Sequence, residues 1–315
     1  MTEYHFSSSE LETGLGTFSE KGITTISVRD PSITANKDRF LRFIKMVQEK
    51  ENSVLFDFYL DYSFLDKAVV SALSSIYSSV LLPLYMSDKK SFSKKIMLLN
   101  DAGLVFGFDI VLNSEINCTS FKAFRDLLDF SISLFPNHIF IDDSALAQTA
   151  LLSKTDIASI KRTVFACDVF YSSGRAVPWF SAVLFPLRIR PSFFFLDFAE
   201  WQDCNNCSAE SGFNPEKADH KEIEIMQTVF LKLKYEEKKL QHLFTPAYDL
   251  LRLHGAFSRA VSEGESGSLD LSYHPDDILS SSAMDLVRFC EEVCMEPCRV
   301  AVFITDEGPD YTAET

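Results

Sequence analysis

Strand-like and helix-like runs alternate through the first half of this chain, and that rhythm restricts the fold more than any other feature. Strand-like runs fall at 23–28, 53–59, 80–86, 104–112 and 138–141, separated by helical runs of the length found between the strands of a parallel barrel. Residues 38–49 place Phe40, Leu41, Ile44 and Val47 on one helical face, and 64–76 repeat the helical pattern. The apolar run 80–86 suits a parallel strand buried on both faces. Residues 90–100 read as a helix with Phe92, Ile96 and Leu99 inward, closed by the turn at Asp101, Ala102 and Gly103. Thr119 is the expected cap of a helix over 121–134, and Pro136 with Asn137 marks the next turn. No cofactor fingerprint accompanies this pattern: G-x-G-x-x-G, P-loop, H-E-x-x-H and G-x-S-x-G are all missing from the sequence.

The pattern changes near residue 151. A helical region over 151–262 includes the Phe-rich runs 176–185 and 192–202, a polar loop at 203–217, and a long helical stretch from 219 to 260 expected to break near Pro246. A Gly/Ser/Glu linker precedes a small α/β element at 268–306, read as strand, helix, strand. Residues 1–22 read as a flexible lead-in, 23–150 as the βα region, and 307–315 as a disordered tail.

A chain of 315 residues, 46% hydrophobic and with 29 Phe, can bury one large core or two moderate ones. The net charge of −15 argues against a nucleic-acid backbone as partner, because phosphate binding needs a cationic field. The residues before 15 have no apolar signal-peptide core. The apolar run 176–196 is interrupted by Pro186, Arg188, Arg190 and Pro191, so no membrane span of about 20 residues is expected. Seven cysteines without a regular framework and without an export signal fit reduced thiols in the cytoplasm.

Several residues carry candidate chemistry. Cys204 and Cys207 have the C-x2-C spacing of half a metal site, with His220, Cys290, Cys294 and Cys298 as further ligands on paper. The competing reading is free thiols behaving as small hydrophobes, and it is preferred, so no metal site is assigned. Asp109 interrupts an apolar strand and is expected at the mouth of a sheet or barrel, since an unpaired carboxylate in apolar surroundings is costly. Asp30, Asp142 and Asp143 follow strands, where barrel sites collect. Arg252 and Arg259 lie seven apart and could share an anion if Gly255 does not break their helix, with surface or interdomain contacts as the plainer alternative.

Much of the chain resembles the later part of the radical-SAM proteins that carry an N-terminal cobalamin-binding domain. The resemblance rests on Val-Arg-Asp-Pro-Ser-Ile-Thr-Ala-Asn-Lys-Asp-Arg at 28–39, Leu-Leu-Asn-Asp-Ala-Gly-Leu-Val-Phe-Gly-Phe-Asp-Ile at 98–110, and on 129–138, 165–179 and 193–201. It implies an α/β fold: an incomplete, TIM-like radical-SAM barrel followed by a mostly helical region and a small C-terminal α/β element. It assigns Asp30, Asn36, Ser87 and Asp109 as vestigial cofactor-binding positions. The family's C-x3-C-x2-C loop, which holds a four-iron four-sulfur cluster, is missing; Cys290, Cys294 and Cys298 have the wrong spacing and stand at the wrong end. The strand that commonly supplies a Glu and a Gln-Ser reads Leu-Pro-Leu-Tyr-Met-Ser at 82–87, leaving only Ser87, and the Gly-Leu-Pro-Gly-like turn reads Asn-Ser-Glu-Ile-Asn at 113–117. The expectation is a truncated or degenerate relative without catalysis of its own and without cofactors in isolation. One alternative is a split enzyme, in which a complementing N-terminal polypeptide supplies the cluster, with S-adenosylmethionine and cobalamin as cofactors. The other is a non-catalytic protein-binding scaffold, with an exposed apolar patch over 180–198.

Overall fold

The computed structural model describes residues 13–14, 22–50, 54–84, 86, 88–305 and 308–314. Within them the alternation of Phe56 and Phe58 with Leu55, Asp57 and Tyr59 gives strand β2 (Leu55–Tyr59) one apolar face and one mixed face. The same division holds across a five-stranded, all-parallel sheet formed with β1 (Thr25–Val28), β3 (Ser78–Pro83), β4 (Val105–Val111) and β5 (His138–Asp142). Spatial order follows chain order, β1-β2-β3-β4-β5, with no reversal. Parallel crossovers are almost always right-handed, so an unreversed order winds every connecting helix onto the same face. A doubly wound sheet needs a reversal to cover its second face.

The helices meet the apolar face. Asn36 caps helix α1 (Lys37–Glu49) by accepting the Arg39 N–H at 3.1 Å, which sets Phe40 and Phe43 against the sheet. Their rings pack edge-on against Phe58 and Phe56 at 5.2 and 5.9 Å. Helix α2 (Lys67–Leu73) is capped by Asp66, and α3 (Lys89–Asp101) by Asp88. Phe92 of α3 lies 5.6 Å from Phe108. Phe56, Phe58, Val80, Leu82, Phe106, Phe108 and Ile110 are all buried. Each large side chain so buried contributes roughly 1.5–3 kcal/mol, and an edge-on ring pair about 0.5–1.5 kcal/mol more.

Contacts divide the chain into two units, residues 1–112 with 130–142, and 113–129 with 143–315; the division passes through helix α4 (Phe121–Ile132). Ser120, rather than Thr119, accepts the Ala123 N–H at the start of α4. The boundary after Asp142 differs from the one expected near residue 150. The helical region and the small α/β element also share one unit.

In the second unit, α5 (Lys154–Cys167) opens with a capping box between Ser153 and Asp156 and runs into a π-helical turn at Asp168–Ser173. Gln227 donates from Nε2 to the carbonyls of Phe170 and Gly174 at 2.7 and 2.9 Å, satisfying groups that the wider turn frees. Around Phe170 gather Trp179, Phe180 of α6 (Phe180–Leu184), Phe194, Phe195 and Phe198 of α7 (Pro191–Cys204), and Phe230 of α8 (His220–Glu237). These rings are at most 1% exposed. The apolar patch expected over 180–198 is therefore corrected: most of its Phe side chains form an internal core, with Phe185 and Phe193 left at the surface.

Pro246 does not break the next helix. It sits in the first turn of α9 (Phe244–Glu263), where its missing N–H would have no partner in any case, and the chain turns earlier, at 238–243. Helix α9 packs on the antiparallel sheet of β6 (Gly267–Leu271), β7 (Cys298–Thr305) and β8 (Gly308–Glu314), with α10 (Leu286–Glu292) between β6 and β7 in the chain. Strand β8 corrects the expected disordered tail: Gly308 at φ 123° starts a strand that pairs with β7 from Arg299–Glu314 to Thr305–Gly308. No helix among the described residues is long and apolar enough to cross a membrane.

Candidate functional site

The second face of the parallel sheet carries polar groups at successive strands. Ser27, Asp57 and Ser79 are register partners across β1, β2 and β3. Ser79 Oγ donates to Asp57 Oδ1 at 2.7 Å and Ser27 Oγ to Oδ2 at 3.4 Å, so two hydroxyls hold the carboxylate flat on the sheet. On β5, His138 points to the same face. Its register partner on β4 is Gly107, and a Cβ there would stand 2.1 Å from His138 Nε2 and 2.3 Å from Cδ2. The glycine is thus the recess in which the imidazole lies. Burial pushes the His138 pKa down, and the negative charge of Asp57 only partly offsets this, so the ring is neutral at pH 7. The Phe140 ring is 4.9 Å away.

In this polar row Ser79 and His138 stand near the N-terminal ends of their strands, whereas Asp57 is the middle residue of β2 and Ser27 the third of four in β1. A second tier lies beyond it, toward the C-terminal strand ends. Tyr59 carries the Arg29 guanidinium 5.3 Å above its ring. Asp109 on β4 is in register with Pro83 on one side and Phe140 on the other. Its side chain is half-buried, and among the described residues it has no hydrogen-bond or ion-pair partner. Phe140 is 56% exposed and Val111 52%. Parallel α/β sheets take ligands at the C-terminal ends of their strands, while side chains at the N-terminal end mainly hold the sheet together. Ser27, Asp57, Ser79 and His138 thus form one polar row, and Arg29, Tyr59, Asp109 and Phe140 lie further toward the C-terminal strand ends.

The other sequence-derived candidates have local roles. Asp30 caps a four-residue helix (Pro31–Thr34) by accepting the Ser32 N–H at 2.8 Å, and Asn36 is the cap of α1. Neither is joined to Asp109 by any hydrogen bond. Ser87 lies outside the described residues. Asp143 pairs with Lys161 at 3.5 Å.

Cys204 and Cys207 are explained by helix termination. Cys204 is the last residue of α7, Asn206 adopts a left-handed φ of 56°, and the Cys207 N–H donates back to the Gln202 carbonyl at 3.1 Å. This is a Schellman turn, and it leaves Cys204 exposed and Cys207 buried. Among the described residues no three His, Cys, Asp or Glu side chains are grouped to hold a metal ion.

Arg252 and Arg259 are engaged by different partners. Helix α9 continues through Gly255, where a Cβ would meet Glu224 Oε2 at 2.2 Å; the space instead lets Glu224 pair with Arg259. Arg259 also lies 3.2 Å from His220 Nδ1, whereas Arg252 donates to the Asp270 carbonyl at 2.8 Å.

Asp57, Ser79 and His138 were not among the candidates read from the sequence. Their signal was available: a polar residue between Phe56 and Phe58, a serine opening an apolar strand, and a glycine inside the next one.

A scan against protein-family models finds no match, and a search of curated proteins finds none.

Proposed function

We propose that the chain is a degenerate relative of the cobalamin-linked radical-SAM barrels that binds a small polar ligand on its open sheet face and performs no radical chemistry by itself. The sheet is then part of a TIM-like barrel wall, and its polar face is the inner surface. One observation carries this reading: the sheet runs in chain order without reversal, and the face away from the Phe-rich core presents half-buried Asp109 and exposed Phe140 toward the strand ends. Asp109 is the ligand-facing carboxylate, and the hydroxyl-held Asp57 with neutral His138 forms the floor beneath it.

The cysteines do not fit an iron–sulfur cluster. The three-thiolate loop is missing from the sequence, and the described thiols stand in different local settings; Cys118 and Cys167 are buried, which pushes the Cys118 thiol up to about 11. No reaction step is therefore routed through a cluster in this chain. The test is anaerobic reconstitution with iron and sulfide, followed by iron analysis and a cleavage assay with S-adenosylmethionine. The reading expects no stable four-iron centre and no cleavage; a stable centre with turnover contradicts it.

A second reading is favoured by the sheet edges. Among the described residues β1 and β5 each pair on one side only, which leaves strand edges available to a completing polypeptide. A split enzyme would then form when a chain bearing the C-x3-C-x2-C loop adds its strands and cluster. Co-expression with such a chain separates the two readings: stoichiometric co-purification with iron supports the split enzyme, and separate elution supports the isolated binding module. A cytoplasmic location follows from either reading, since both work with reduced thiols.

A further inference from the structure

Helix α4 carries an arginine without a counter-ion, although the sequence offers one a single turn away. Arg125 and Asp129 stand four apart, a spacing that ordinarily pairs opposite charges along a helix. Asp129 is engaged elsewhere. It accepts the Ser192 N–H at 2.7 Å and the Ser192 hydroxyl at 3.0 Å, and it pairs with Arg190 at 2.5 Å. Asp126 is taken as well, by Lys122 at 2.6 Å and Arg190 at 2.8 Å. Among the described residues Arg125 has no hydrogen bond and no ion pair.

Aromatic rings hold it instead. Its Cζ lies 4.5 Å over the Phe193 ring of α7 and 5.1 Å over the Phe121 ring one turn earlier on α4. Contact with two ring faces restricts the plane of the guanidinium and orders the side chain before any ligand arrives. Nε is buried without a partner, whereas Nη1 and Nη2 are not enclosed. The accessible part of the group is therefore the outer fork, with N–H donors on both Nη atoms. Phe193 is 38% exposed, so one wall of that fork is open as well.

Such a fork accepts two oxygens in one plane, which is the geometry of a carboxylate. Phosphate suits it less: it is tetrahedral, and its second charge would stand near Asp126 and Asp129 of the same helix. The open ring favours an apolar body on the ligand. We propose that Arg125 binds a small monocarboxylate with an apolar body, its two oxygens on Nη1 and Nη2 and its body against Phe193. Arg125 and Phe193 both belong to the second unit, so this site is separate from the sheet face of the first.

The test is saturation-transfer NMR of the folded full chain at neutral pH with benzoate, benzamide and inorganic phosphate as probes. Benzoate should bind saturably. Benzamide has the same shape without the charge and should not bind, and equimolar phosphate should not displace benzoate. Arg125→Gln should abolish benzoate binding, and Arg125→Lys should weaken it about tenfold, because lysine keeps the charge and loses the planar fork. Phe193→Leu should weaken it by a smaller factor, and Arg299→Gln, which removes an exposed arginine of β7, should leave it unchanged. Circular dichroism checks the folding of each variant, and the comparison of benzoate with benzamide needs only the wild-type chain. Equal saturation by benzamide, displacement by phosphate, wild-type affinity in Arg125→Lys or Phe193→Leu, or no saturable benzoate signal would overturn the proposal.

Discussion

The two faces of the parallel sheet are built from the same strands and treated oppositely. On one, Phe56, Phe58, Phe106 and Phe108 are sealed under helices. On the other, Asp57 accepts from two serine hydroxyls, Gly107 makes room for His138, and Asp109 lies half-buried. Single-direction winding accounts for this: the connecting helices fall on one side, and period-two alternation delivers a mixed set to the other, Asp57, Ser79 and Asp109 beside Leu81, Val111 and Phe140. On the reading proposed above, stability and ligand binding are separated by one residue along the chain.

The sharpest way to break this comparison is to substitute neighbours on β4. Phe108→Ala should cost about 3–5 kcal/mol in urea unfolding, because it empties a closed core site. Asp109→Asn, one residue on, should change stability by less than about 0.5 kcal/mol. Equal costs would mean that the second face is structural too.

A fully buried carboxyl in the second unit provides the contrast to half-buried Asp109. Asp249 of α9 is 1% exposed and accepts the N–H groups of Ser272 and Tyr273 at 2.7 and 3.1 Å. Burial raises its pKa from 3.8 to about 6, outweighing those bonds and the charge of Arg252. The folded state therefore holds this proton more tightly than the unfolded state. Its contribution is fully present below pH 3.8 and is lost as pH rises through about 6. The loss is up to about 3 kcal/mol. Asp249→Asn keeps an acceptor and should remove that slope from stability–pH curves; Asp109→Asn should leave it in place.

Next in size is the recess under His138. Gly107→Ala should cost about 1–3 kcal/mol by displacing the imidazole. His138→Ala in the same chain should restore most of the loss, giving a double-mutant coupling that additive effects would not produce. The smallest expected effect is at the floor: Ser27→Ala removes a long 3.4 Å hydrogen bond from an exposed position and should change stability by less than about 0.5 kcal/mol.

The sheet and its helices were legible because strands and helices announce themselves by period, but their caps were not: Asn36 was read as a cofactor-binding position, and the cap expected at Thr119 is Ser120. Helix ends were read less well where the governing interaction is distant in sequence. Gly255 suggested a break, but Glu224, thirty-one residues earlier, fills its space. Pro246 suggested another, but its position in the first turn makes it harmless. Cys204 and Cys207 had metal-like spacing for a reason that concerns only helix termination. The polar floor was harder still, because Asp57, Ser79 and His138 meet only once β2, β3, β4 and β5 are placed in register.

The most direct measurement is thiol accessibility at two adjacent positions of β4. Ile110 faces the helices at 1% exposure, and Val111 faces away at 52%. In the native protein, Val111→Cys should be alkylated at the rate of an exposed thiol while Ile110→Cys stays protected until the chain unfolds, as read by peptide mapping. Equal protection at both positions would show that the second face is covered and would contradict the account.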